Sequence, residues 1–153
     1  MTERFDGSFT QQEPIPEEGI AAAAEALEDP DPPESCHVWV AAGTYTPTSG
    51  SDRTVSFELQ PGVAVYGGFA GTEDSRDQRN WAAHLTVLSG DLAANDGPGF
   101  ANYDENSYHV VTASGAVGSS TVLDGFTIEK GYADGGGLDN TGAGMRCPGS
   151  PTI

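Results

Sequence analysis

The sequence predicts an all-β domain: a right-handed parallel β-helix, wound as a single-stranded solenoid, with a short capping helix at its N-terminal end. A repeat and its setting lead there. The phrase Val-x-x-Gly-x occurs four times, at Val40 to Thr44, Val65 to Phe69, Val87 to Asp91 and Val122 to Phe126. Its glycines, Gly43, Gly68, Gly90 and Gly125, stand 25, 22 and 35 residues apart, within the range of stacked supersecondary units. Each copy lies in or directly after a β-rich run (His37-Val-Trp-Val, Gly62-Val-Ala-Val-Tyr, Leu85-Thr-Val-Leu, Ser120-Thr-Val-Leu), and polar loop residues follow. Right-handed sense follows from the handedness of parallel crossover connections.

Taken in order, residues 1 to 16 are polar, proline-containing and aperiodic, and read as a flexible lead-in. Residues 17 to 153 then form the folded unit. Its capping helix is expected over Glu17 to Glu28, where acidic residues suit the start of the helix dipole and Ile20, Ala23, Ala24 and Leu27 share a face. Pro30, Pro32 and Pro33 stop it. From residue 37 to 153 the chain reads as rungs of short strands: His37 to Ala41, Val55 to Leu59, Val63 to Phe69, Thr86 to Leu92, Tyr108 to Ala113 and Thr121 to Glu129. Val40, Val65, Val87 and Val122 are expected to stack in one column. A slip of one residue would turn Tyr66, Leu88 and Leu123 inward instead. Phe126 and Ile128 have matching parity and are placed inward. Between strands, Ser75 and Gln78 have the spacing of a capping box around one helical turn, and Ala93 to Ser107 is a long acidic loop. The chain reaches Ser150-Pro-Thr-Ile153 as another strand begins, which reads as a truncated stack whose open last rung favours self-association.

Composition narrows the partners. Among 153 residues, 37% are hydrophobic, with 21 Gly and 10 Pro, favouring strands and turns over a helix bundle. Six basic residues face 23 acidic ones, and Lys130 is the single lysine. Nucleic acid is excluded as an expected partner, because phosphate binding needs clustered Arg and Lys. Cations and basic proteins fit the negative surface, as does an extracellular setting. No apolar run of about 18 residues spans a membrane. Met1-Thr-Glu-Arg-Phe-Asp lacks the basic and apolar regions of a secretory signal, which leaves either a cytoplasmic protein or a leader outside this sequence. Cys36 and Cys147 lack metal-site spacing, and several rungs separate them, so no bridge between them is expected.

Val38-Trp-Val-Ala-Ala-Gly-Thr-Tyr-Thr-Pro47, Val65-Tyr-Gly-Gly-Phe-Ala-Gly-Thr-Glu73, Ser75-Arg-Asp-Gln-Arg79, Val87-Leu-Ser-Gly-Asp91, Tyr108-His-Val-Val111 and Val122-Leu-Asp-Gly-Phe-Thr-Ile128 together carry a family likeness. Residues 36 to 153 resemble the N-terminal rungs of bacterial right-handed parallel β-helix proteins of the pectin-lyase-like type. The resemblance implies a secreted or cell-surface protein. Activities vary widely on that fold, so function has to be read from the site.

Candidate sites divide in two. Asp91, Asp96, Asp104 and Glu105 gather around the long acidic loop and offer hard oxygen ligands to calcium, although their spacing is not that of an EF-hand. Arg76, Arg79 and Trp81 are candidates for ligand contact, the arginines toward anions or sugars and the indole toward a sugar ring. The bland reading of those arginines is pairing with Glu73, Asp74 and Asp77 to pin the loop. Trp39 and Tyr66 read as packing residues by default, and His37, His84 and His109 as structural or surface residues. Catalytic residues are not assigned: Asn140-Thr-Gly142 lacks the aspartate of the polygalacturonase Asn-Thr-Asp, and no paired Asp-Asp, Gly-His-Gly or Arg-Ile-Lys follows. The expected function is therefore a non-catalytic segment of a secreted or surface protein, a scaffold for adhesion or for contact with a polysaccharide or cell-surface glycan. It needs no cofactor unless calcium binds. The competing reading is the N-terminal part of a polysaccharide lyase or glycoside hydrolase with its active site on later rungs.

Overall fold

The computed structural model describes residues 16–31, 35–113, 115, 117–148 and 151–153; the expected lead-in lies outside these except for Pro16. The described residues open with helix α1 (Pro16–Leu27), whose first turn carries Glu17 and Glu18. Among the described residues nine strands follow: β1 (Cys36–Ala41), β2 (Gly43–Tyr45), β3 (Phe57–Leu59), β4 (Val63–Phe69), β5 (Thr86–Ser89), β6 (Val111–Ala113), β7 (Val122–Asp124), β8 (Phe126–Glu129) and β9 (Met145–Arg146).

These strands form three three-stranded sheets, ordered β1-β4-β7, β2-β5-β8 and β3-β6-β9. Every ladder within them is parallel. This corrects the expectation of an all-β, single-stranded right-handed β-helix. The structure instead has a packed helix and three separate parallel sheets. The expected valine column is absent. Val65 pairs with Val38 and Leu123, whereas Val87 lies in the second sheet between Thr44 and Thr127. The physical reason is the stretch between Phe69 and Thr86: it separates β4 from β5, so the third Val-x-x-Gly falls one sheet later than the others.

The faces shift with it. Val40 and Val65 join the main core, but in the other two copies the neighbouring Leu88 and Leu123 do so. Phe57, Leu59, Val38, Val63, Val110 and Val111 complete the centre of that core, with Phe126 and Ile128 half-buried against it. Helix α1 packs on β1, β3 and β4, burying Ile20 and Ala23 and resting Ala24 and Leu27 on the same cluster. Alternation in β1 turns His37, Trp39 and Ala41 to the other side of the first sheet. There Ala64, Tyr66 and Phe69 form a second apolar cluster, with Trp39 and Val122 against it. Trp39 stacks on Phe69, their ring centroids 4.9 Å apart.

The expected strand over Thr121 to Glu129 is divided at Gly125, which has φ +84° and closes the corner between β7 and β8. A Cβ there would lie 2.8 Å from the Gly67 carbonyl oxygen, so the corner needs both the positive φ and the missing side chain. Cys36 and Cys147 do not bridge each other.

The core makes a direct prediction. Phe57 is 1% exposed and pairs with Val111, while Glu58 on the same strand faces outward. Phe57→Ala should cost roughly 3–5 kcal/mol in urea unfolding, whereas Glu58→Ala should stay within about 0.5 kcal/mol. Equal effects would contradict the assigned faces.

Candidate functional site

Two side-chain constellations stand outside the main core. The first is built on the outer face of the first sheet by the loop between β4 and β5. Glu73 anchors the start of this loop: its carboxylate accepts from the amides of Ala70 (2.7 Å), Gly71 (2.9 Å) and Thr72 (3.0 Å). A single 3-10 turn over Arg76–Gln78 follows. Its capping box is the one read from Ser75 and Gln78, with the Ser75 amide donating to Gln78 Oε1 at 3.1 Å. The far end is tied by the Asn80 amide, which donates to the Gly68 carbonyl at 2.8 Å. Gly68 has φ +93°, and a Cβ on it would meet the Trp81 backbone at 2.7 Å, so only glycine admits the loop so close to the sheet.

This path delivers Arg76, Arg79 and Trp81 to one shallow groove of about 460 Å³, lined also by Tyr66, Asp77, Val122, Asp124 and Thr152. Tyr66 is its floor. The Arg76 and Arg79 guanidinium carbons stand 4.7 and 5.1 Å from the Tyr66 ring centroid, a cation–π arrangement. Their roles then diverge. Arg79 is half-buried and bonds the Asp124 carboxylate as well as the Gly67 and Asp124 carbonyls. That is loop pinning, though its acid is Asp124 rather than the nearby Glu73, Asp74 or Asp77. Arg76 is exposed and makes no ion pair among the described residues. Trp81 is 62% exposed. Below them His37 meets Tyr66 edge-on at 5.4 Å; burial, and then the Arg76 charge, lower its pKa from 6.5.

The second constellation lies just after β5. Asp91, Asp96 and Glu105 converge so that one oxygen from each lies within 4.8 Å of the others; Asp104 is not part of the group. Asp91, 3% exposed, accepts from the Asn95 and Asp96 amides and from Lys130 Nζ at 2.9 Å. Burial works against its charge, but Lys130 and those amides outweigh burial and hold its carboxyl below the ordinary value. Glu105 goes the other way: burial, and then the Asp91 and Asp96 charges, push it up, with the Ala93 amide opposing. Lys130 reaches the group because its backbone takes φ +59°, and Gly90 admits the turn, since a Cβ there would lie 2.4 Å from the Lys130 carbonyl oxygen.

Sequence reasoning missed Asp124, Lys130 and Asn106. Asp124 stands 45 residues from Arg79 and Lys130 39 residues from Asp91, so local spacing gives no sign of either pair. The one available signal was that Lys130 is the only lysine of a strongly acidic chain. His109 is buried, with Nδ1 at 3.1 Å from the Gly142 carbonyl oxygen, and no His belongs to the acidic group.

Compared with known protein families, curated proteins and solved structures, the chain matches none.

The Glu73 anchor predicts an acid-sensitive groove. Burial works against the Glu73 charge, but the amides of Ala70, Thr72 and Gly71 outweigh it, so its carboxyl titrates below the ordinary 4.5. A depressed folded-state pKa means that the stabilisation is complete above about 4.5 and is lost as pH falls through the folded value. Glu73→Gln should cost roughly 1–2 kcal/mol at neutral pH and flatten this part of the acid dependence, as read by urea unfolding at several pH values. The same acid dependence in both proteins would refute the anchor.

Proposed function

We propose that the chain is a non-catalytic scaffold that holds carbohydrate in the groove over Tyr66, with a preference for sugars carrying carboxylate or sulfate groups. The observation that carries this reading is the pairing of an exposed indole, Trp81, with an exposed guanidinium, Arg76, that has no ion-pair partner among the described residues. An indole face stacks on the apolar face of a sugar ring, and a guanidinium bonds an anionic substituent in two-pronged fashion. The wider charge distribution supports it: two of the six basic residues line this one groove in a chain of net charge −17. Asp124 supports a holding role over a cleaving one, because its carboxylate is committed to Arg79. The likeness of residues 36 to 153 to secreted and surface-exposed pectin-lyase-like proteins belongs to the same proposal, and would place the chain outside the cytoplasm, in adhesion or glycan contact.

Binding of polygalacturonate and sulfated oligosaccharides, measured by calorimetry against a neutral glucan, tests it. Trp81→Ala should weaken binding of every bound sugar about tenfold or more, the share expected of one lost stacking contact of about 1.5 kcal/mol. Arg76→Gln should weaken only the acidic ones. Indifference of binding to both substitutions overturns the groove, and release of reducing or unsaturated ends by the purified chain would replace holding with cleavage.

A further inference from the structure

The acidic constellation after β5 has a feature that its carboxylates alone would not have. Asn106 is completely buried, and its side chain reaches into the group, donating from Nδ2 to Asp96 Oδ2 at 2.8 Å and to the Lys130 carbonyl at 2.8 Å. The other atom of that amide, Oδ1, is buried without a hydrogen-bond partner among the described residues. Asp96 Oδ1 is in the same condition. Buried oxygens without a donor are costly, and those that persist in a native structure call for a partner such as an ordered water or an ion.

Lys130 does not supply enough. Its ammonium is on Asp91 Oδ2, whereas Asp96 takes its hydrogen bond from Asn106 and Glu105 takes one from the Ala93 amide at 3.4 Å. Three carboxylates and one ammonium leave the group two negative charges in excess. The converging donor atoms are carboxylate oxygens, hard ligands all, and among the described residues no imidazole or thiolate joins them. Such a set suits calcium and gives no purchase to zinc or copper.

We propose that Asp91, Asp96 and Glu105, beside the buried Asn106 side chain, form a calcium-binding site that ties the acidic loop after β5 to the turn at Lys130. The ion balances the two excess charges and gives the orphaned oxygens a partner. Magnesium is the poorer fit, since it demands a tight octahedron and gives up its water reluctantly.

The test is calorimetric titration of chelator-treated protein with calcium chloride and, separately, magnesium chloride, alongside thermal unfolding with and without each salt. Calcium should bind saturably at one ion per chain and raise the midpoint of unfolding, with magnesium weaker. Asp96→Asn and Glu105→Gln should each weaken calcium binding by about tenfold or more and remove the calcium-dependent rise. Trp81→Ala, in the other constellation, should leave both unchanged. Circular dichroism without calcium establishes that the variants fold; if Asp96→Asn does not, Glu105→Gln carries the decision. No saturable calcium binding by the wild-type chain overturns the site, as does calcium binding that survives both substitutions.

Discussion

The register of the first sheet is the constraint on which the rest depends. Val38, Val65 and Leu123 lie side by side across β1, β4 and β7 and face the core, so Trp39, Tyr66 and Asp124, one residue on, must face away from it. Parallel pairing with a side-chain period of two leaves no intermediate choice: a slip of one residue would send Tyr66 and Asp124 into the core. The outward row then needs cover, because Tyr66 and Phe69 are large and apolar. The loop between β4 and β5 supplies it, and in covering Tyr66 that loop brings Trp81 and two arginines to the groove.

Charge is managed by reach. The chain has few cations, and three of them span long stretches of sequence to tie a loop to a later part of the fold. Arg53 stacks on Tyr108 and bonds the Asn106 carbonyl at 2.6 Å, the Tyr132 carbonyl and Asp134. Arg79 ties the groove loop to Asp124, and Lys130 returns to Asp91. Each combines its ion pair with backbone hydrogen bonds or a special backbone turn, which separates it from a lone surface pair worth little. Arg76 lacks such ties among the described residues, so its guanidinium stays exposed at the groove where that of Arg79 is held.

The local parts of this arrangement were legible in the sequence. The helix face of Ile20 and Ala23, the strand runs through Val63 to Phe69 and the capping box of Ser75 and Gln78 all depend on neighbours within a few residues. What depended on alignment between distant segments was not legible. The Val-x-x-Gly copies have the same wording but different phase, because the loop after Phe69 displaces Val87 into the second sheet while Val65 and Val122 remain in the first. The short strand Gly43–Tyr45 exists through its parallel partner rather than through any strand-like run of its own. The acidic group was anticipated in three of its members because they crowd one loop, while Asn106 and Lys130 entered it through burial and a left-handed turn.

Both constellations occupy connections that follow a strand, one after β4 and one after β5, and the fold explains why. The inner faces of all three sheets are consumed by the core, and helix α1 packs on β1, β3 and β4. Chain can be added without disturbing the ladders only at the corners, where a glycine already admits a bend. Gly68 precedes one inserted loop and Gly90 the other, each lying so close to another segment that a side chain would collide. Corners therefore permit the insertions, and the insertions carry the residues that ordinary strand positions cannot present: an exposed indole and guanidinium at one corner, and a partly buried acidic group at the next. Loops held on a rigid scaffold in this way keep their side chains in place without a core of their own.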